Sequence, residues 1–271
     1  MSDFGLLDPY VAIVKGVIHA LAPSVLVIDL THEIQPQDIR HGAFILNYSY
    51  RDFPKGGIFL AVIDPGVGSQ RAGLIVQCRK SLFLGPDNGL LGPIIQNHRE
   101  ATCFKIDPRR VRQESERLGV RLGYSHTFHA RDLFGPSAAL LSRGIGPKEI
   151  GKPYKEPKSF VFPEPKLSTT SIEGQIIYID RFGNAISNIP SSLLDELICP
   201  NRERPVVITS DHGFPLPFHT TYSQVKRHAP LFLENSYGLI EIAVNRGSAQ
   251  QELGIKIGDK IQIKCRRRKG A

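Results

Sequence analysis

The 271-residue chain has no tryptophan, a single methionine and only four cysteines. Cys78, Cys103, Cys199 and Cys265 lie far apart and form no CxxC pair, which argues against a zinc site. It also leads us to expect free thiols in a reducing, cytoplasmic compartment. No apolar run approaches the ~18 residues that span a membrane. The opening MSDFGLLDPY carries an acid where a secretory leader is positive, so neither a membrane nor an export route is expected. Charge of one sign is not concentrated either. The net +8 is scattered, except for the tail Lys264-Cys265-Arg266-Arg267-Arg268-Lys269. With no nucleic-acid motif beside it, this tail reads as a solvated basic surface and not as a nucleic-acid interface. Internal repeats are also missing.

What remains is ordinary for a globular protein, 41% hydrophobic and 22% charged, and long enough for one large or two moderate domains. The stretch Val62-Ile63-Asp64-Pro65-Gly66-Val67-Gly68-Ser69-Gln70-Arg71 organises the rest. It closes an uncharged run from Gly56 to Ile63 whose apolar part reads as a strand buried on both faces. Open α/β sheets place ligands at such strand ends. Pro65, Gly66 and Gly68 then turn the backbone tightly, and Arg71 returns a positive charge.

Asp3-Phe4-Gly5 reads as the end of a strand with no strand before it; either the fold begins abruptly or translation starts upstream of Met1. Asp8-Pro9 opens a helix over residues 9–21. Residues 24–30 (SVLVIDL) read as a buried strand, 37–48 as a second helix, and 74–78 and 81–84 as further strands. Gly85 to Gly89 turns into a short helix over 90–97. Residues 107–123 are polar enough for an exposed helix or loop, and Thr127 to Phe134 leads into a helix ending near Gly144. Residues 152–168 hold four prolines and four lysines without periodicity, which marks a linker. Short strands at 174–180, 206–209, 239–244 and 260–264 follow. The expected architecture is an N-terminal α/β domain (1–151) whose mainly parallel sheet is covered by helices, the linker, and a smaller C-terminal β-rich domain (169–271).

Seven segments, DFGLLDPYV, DLTHEI, VIDPGVGSQR, GPDNGLLGP, TFHARDLF, YIDRFGNAISNI and NSYGLIEIAVN, occur in an order that resembles the S-adenosyl-L-methionine hydroxide adenosyltransferases, relatives of the fluorinating and chlorinating enzymes. The resemblance runs from Asp3 to about Ile263. It implies a barrel-like C-terminal domain, a homotrimer with sites at subunit interfaces, and conversion of S-adenosylmethionine and water to adenosine and methionine. The small molecule is then substrate, and no cofactor or metal is implied.

Such a reaction expels a neutral thioether, so the leaving group needs no acid. Water must lose a proton as it attacks ribose C5′, which calls for a base, a cation and walls that exclude solvent. Asp64, Arg71 and His129 match the family's catalytic set and suit these demands. A halide nucleophile needs no base, so the three together favour hydroxide. His126 lies three residues before His129, yet no acidic or histidine partners stand at metal-ligand spacing. By the same resemblance Asp3 would hold the ribose hydroxyls, Asp180 the methionine ammonium and Asn184 the adenine edge. Phe182 would pack near the base, Ser236 would meet the methionine carboxylate, and the backbone of Val244, Asn245 and Arg246 would line adenine. Three positions depart from the pattern. Ser2 replaces a threonine, Ala130 a glycine, and Tyr237 the arginine of the halogenating relatives. A non-catalytic S-adenosylmethionine or adenosine binder and a halide-using transferase are the competing readings.

Overall fold

A computed structural model describes residues 1–197, 204–209 and 216–266. The chain divides into two compact units, Met1–Val161 and Phe162–Ala271, with the change falling inside the proline-rich stretch.

In the first unit, helices α1 (Tyr10–Leu21) and α2 (Ile39–Ser49) precede strands β1 (Ile58–Leu60), β2 (Gly73–Cys78) and β3 (Ser81–Pro86). Helix α3 (Gly92–Asn97), β4 (Thr102–Ile106), α4 (Pro108–Arg117), α5 (Gly135–Ser142), α6 (Pro147–Ile150) and β5 (Gly151–Pro153) follow. Helix α1 buries Val11, Val14, Ile18 and Leu21, one stripe at helical spacing. Helix α2 starts where the Asp38 side chain accepts the free N–H of His41. Phe134, Leu140 and Ile75 are fully buried in the core that these helices share with the sheet.

The sheet runs β1-β3-β2-β4-β5 and is mixed; "mainly parallel" does not describe it. Only β1 and β3 pair in parallel, while β3/β2, β2/β4 and β4/β5 are antiparallel. The reason is local: Arg79 and Lys80 form a two-residue reversal, with Arg79 at a φ of +53°, and fold β2 back on β3. The segment 24–30 also departs from expectation. It joins no ladder, and Leu26 remains 81% exposed.

The second unit contains β6 (Lys166–Leu167), β7 (Ser171–Ile179), β8 (Ala185–Pro190), β9 (Arg204–Thr209), β10 (Leu216–Pro217), β11 (Pro230–Glu234), β12 (Leu239–Val244), α7 (Ala249–Glu252) and β13 (Lys260–Arg266). Among the described residues they form one antiparallel sheet in the order β10-β9-β13-β7-β8-β12-β11, with β6 beside β7. Phe218, just past β10, bridges to Phe232 on β11, so the two ends of the order meet. Ile172, Ile176, Phe232, Ile240, Ile242 and Ile263 fill the enclosed core.

Cys78 and Cys103 are free thiols, and burial pushes Cys78 up to about 12. Cys265 is disulfide-bonded, which corrects the expectation of four free thiols. Spacing along the chain does not reveal which cysteines the fold brings together, so the argument for a reducing compartment rests on Cys78 and Cys103 alone. Cys199 and the tail from Arg267 to Lys269 lie outside the described residues.

Candidate active site

Val62 and Ile63 are buried, and Asp64 follows them at the point where the chain leaves the sheet. The turn after it is closed by two backbone bonds, from Val67 N–H to Asp64 O and from Ser69 N–H to Gly66 O. Gly68 lies at a φ of +80°, and a Cβ there would stand 2.7 Å from the carbonyl oxygen of His126. Only glycine lets this turn abut the segment that carries His129. Asn88, from the GPDNG turn, donates its side-chain N–H to the Ile63 carbonyl and fixes the backbone immediately before Asp64.

The result is a compact constellation. Arg71 holds Asp64 with two donors, Nε to Oδ1 at 2.8 Å and Nη2 to Oδ2, with both side chains 6% exposed. The same Nη2 stands 2.7 Å from Nδ1 of His129. The Phe134 ring lies under the guanidinium, 5.2 Å from its centre. His129 caps a π-helical turn over Ala130–Phe134, in which Gly135 N–H reaches back five residues to Ala130 O. Pro136, which has no N–H to give Asp132, follows directly on this widened turn.

A guanidinium has only donors, so His129 Nδ1 must accept. The ring is then neutral, with its proton on Nε2, and that N–H donates to Tyr124 Oη at 3.2 Å. Desolvation, and next the charge of Arg71, hold the His129 pKa below its ordinary value, in agreement with a neutral ring. Tyr124 escaped the sequence reading because it lies five residues before His129 in a stretch without periodicity. Among the described residues no group of three or more His, Cys, Asp or Glu is placed to hold a metal. His126 packs its ring edge-on against Tyr124.

Asp3 is in the same unit. Its Oδ2 accepts the Gln37 N–H at 2.8 Å, and the neighbouring Ser2 bridges to Val62, two residues from Asp64. The other expected substrate contacts are in the second unit. Asp180 closes the turn between β7 and β8, with Oδ1 accepting from Phe182 N and Asn184 N and Oδ2 from Asn184 Nδ2. Phe182 projects at 77% exposure, whereas Asn184 is buried. Gly183 packs so closely on Ser248 that no Cβ would fit, and its carbonyl accepts from Gln250 N–H. This joins the Asp180 turn to the bend after Val244, where Asn245 Nδ2 donates to Val225 O and Arg246 is exposed. Ser236 lies in the turn between β11 and β12, at the other end of β12 from Asn245, and β12 itself spans roughly 17 Å at the usual rise per residue.

A buried acid beside Asp180 was not anticipated. Glu241 on β12 is 3% exposed and accepts from Tyr222 Oη at 2.8 Å. Burial raises its pKa, and the charge of Asp180 adds to the rise. In sequence Glu241 is one polar residue in an apolar strand, a pattern that gives no sign of a partner 19 positions away.

Residues 1–151 match the SAM hydroxide adenosyltransferase N-terminal domain, and residues 174–262 match the C-terminal domain of the same family. The chain belongs to the SAM hydroxide adenosyltransferase family. An (R)-S-adenosyl-L-methionine hydrolase of Thermus thermophilus is 37% identical over 97% of both chains. One from Methanocaldococcus jannaschii is 29% identical over 97% of this chain and 93% of its own. A fluorinase from an Actinoplanes species is similar at 24% identity over 97% of this chain and 95% of its own. Among solved structures, an uncharacterised conserved protein of Thermotoga maritima superimposes with a TM-score of 0.87 at 31% identity, covering 97% of this chain and 98% of that one.

Proposed function

We propose that the chain hydrolyses S-adenosyl-L-methionine to adenosine and L-methionine. A water oxygen forms the bond to ribose C5′, the bond from C5′ to the sulfonium breaks with its electron pair going to sulfur, and one water proton is released. The Asp64–Arg71–His129 constellation carries this reading, because it supplies an anion and a fixed cation on a buried site at the end of an apolar strand. The His129 Nδ1 lone pair is committed to Arg71, and its Nε2 bears a proton. Each Asp64 oxygen has a second lone pair open, so Asp64 is the group positioned to take the water proton. Arg71 balances charge as hydroxide character develops, and His129 holds Arg71 in place.

A halide-using reading is kept in view by the fluorinase likeness. The test incubates pure protein with S-adenosylmethionine, with and without chloride or fluoride, beside Asp64→Asn. Adenosine and methionine from the wild type alone support hydrolysis. A 5′-halo-adenosine overturns it in favour of the transferase, and binding without product overturns it in favour of a non-catalytic binder.

Asp3, Asp180, Phe182, Asn184, Ser236 and the Val244–Arg246 backbone are read as the substrate contacts, with no cofactor. Asp3 and the three catalytic groups are in one unit and the remainder in the other, as a site shared between subunits of a homotrimer requires. A sedimentation mass near 30.1 kDa, that of one chain, at micromolar concentration overturns the trimer. The bridge from Phe218 to Phe232 supports reading the second unit's sheet as barrel-like. A cytoplasmic location is proposed from Cys78 and Cys103, which stay free thiols.

A further inference from the structure

Asp87, in the GPDNG turn that follows β3, is 3% exposed. A carboxylate loses its hydration on burial, and an apolar side chain would fill the same space without that cost. What the carboxylate adds is direction. Tyr154 Oη donates to Oδ2 at 3.0 Å, and the Lys158 backbone N–H donates to Oδ1 at 2.7 Å.

Both donors lie on residues 154–160, the first half of the proline-rich stretch whose composition suggested a linker. This half is fastened to the first unit at several points. Tyr154 N–H donates to Cys103 O on β4 at 2.8 Å, and Gln96 Nε2 on α3 donates to Ser159 Oγ at 2.8 Å. The Phe160 ring lies under the Arg40 guanidinium at 4.9 Å. A Cβ at Gly92 would stand 2.6 Å from Phe160 N, so only glycine admits α3 this close. Residues 154–160 are therefore a fixed strap, and Asp87 is bonded to it.

The other side of the same turn grips the catalytic loop at both ends. Asp87 N–H donates at 2.9 Å to the carbonyl of Ala72, the residue after Arg71, and Arg71 Nη1 donates to the same oxygen at 3.4 Å. Asn88 Nδ2 holds the carbonyl of Ile63, the residue before Asp64, at 2.8 Å. Two consecutive residues thus bond to both ends of the loop 64–71.

We propose that Asp87 is a positioning residue for the hydrolysis, on which this assignment rests, and that it fixes Asp64 and Arg71 by tying the turn at 87–88 to the strap at 154–160. The anion acts through direction and not through charge. A misplacement of about 1 Å at a reacting site costs about 10²-fold in rate. Asparagine meets the same demand, since its carbonyl oxygen accepts from Lys158 N–H and its amide donates to Tyr154 Oη, which can also accept.

The test measures kcat and KM for adenosine formation, and the NMR titration of His129, in wild type, Asp87→Ala, Asp87→Asn and Tyr154→Phe. Asp87→Ala is expected to lose about 10- to 100-fold in kcat with KM within about threefold. Asp87→Asn should return to within about threefold of wild type, and Tyr154→Phe should fall about 3- to 10-fold. The His129 midpoint should rise in Asp87→Ala and Tyr154→Phe as Arg71 loosens, because the other groups facing the ring, Asp64, Tyr124, His126 and Asp132, are all retained. A kcat loss under about tenfold in Asp87→Ala, a loss confined to KM, or an Asp87→Asn variant as slow as Asp87→Ala overturns the proposal. Where Asp87→Ala does not fold, Tyr154→Phe decides, and a kcat loss under about threefold overturns it. If wild type forms no adenosine, the hydrolysis fails separately and the His129 midpoint decides the positioning, an unmoved midpoint overturning it.

Discussion

His129 Nδ1 accepts a hydrogen bond from Arg71 Nη2 at 2.7 Å, and this contact sets the state of both residues. An arginine offers no lone pair, so a doubly protonated imidazole would have to swing away from it. Protonating the histidine therefore removes one of the contacts, beside those to Asp64 and Phe134, that fix the cation that would face the reacting water.

Activity should follow that state. The folded pKa of His129 lies below 6.5, so the ring is neutral above that value and gains a proton as pH falls through the depressed pKa. The kcat/KM profile is expected to be flat above about pH 6.5 and to fall on the acid side. A profile that rises toward acid would contradict the assigned tautomer.

Asp64→Asn keeps the shape of the side chain and removes both the charge and the base. We expect turnover to fall by about 10²–10⁴-fold, with the circular dichroism spectrum retained. Arg71→Lys loses the two-donor grip on Asp64 and the contact over Phe134, and should lose about 10²-fold. Turnover within twofold of wild type in either variant would remove that residue from the chemistry.

Tyr124→Phe removes the acceptor of His129 Nε2–H and nothing else in the constellation. One neutral hydrogen bond contributes about 0.5–1.5 kcal/mol, so kcat should fall about 2- to 10-fold while KM stays level. A change confined to KM would instead make Tyr124 a substrate contact.

Gly68→Ala tests the turn. A methyl group there meets the His126 carbonyl and a backbone at positive φ, so the variant should lose about 1–3 kcal/mol in urea unfolding. Activity should fall by more than stability accounts for, because the turn carries Arg71 against His129. An unchanged unfolding midpoint would show that the loop yields freely.

The Met1 amine has a pKa lowered from 8.0 to about 6 in the fold. Between these values the unfolded chain binds more protons, so stability should rise as pH goes from 6 to 8. Amino-terminal acetylation removes this group, and the acetylated protein should show a smaller rise. Identical slopes for the two forms would mean that the amine is solvated.

Local chemistry was legible from residue order alone. The stripe of α1, the start of α2, the apolar run that leads to Asp64 and the seven motifs each depend on neighbours a few positions away, where periodicity and turn residues speak directly. The motifs also located Asp64, Arg71 and His129 within a family, although nothing in their spacing said that they touch. Contacts across long separations belonged to the tertiary structure. Arg71 meets His129 across 58 positions because Gly68 lets two loops close on each other, and Tyr222 meets Glu241 because strand order brings their segments together. Strand direction was decided in the same way. The two-residue reversal at Arg79 made antiparallel what alternating helices and strands suggested was parallel, and the apolar segment 25–30 stayed unpaired because a strand needs a neighbour as well as a propensity.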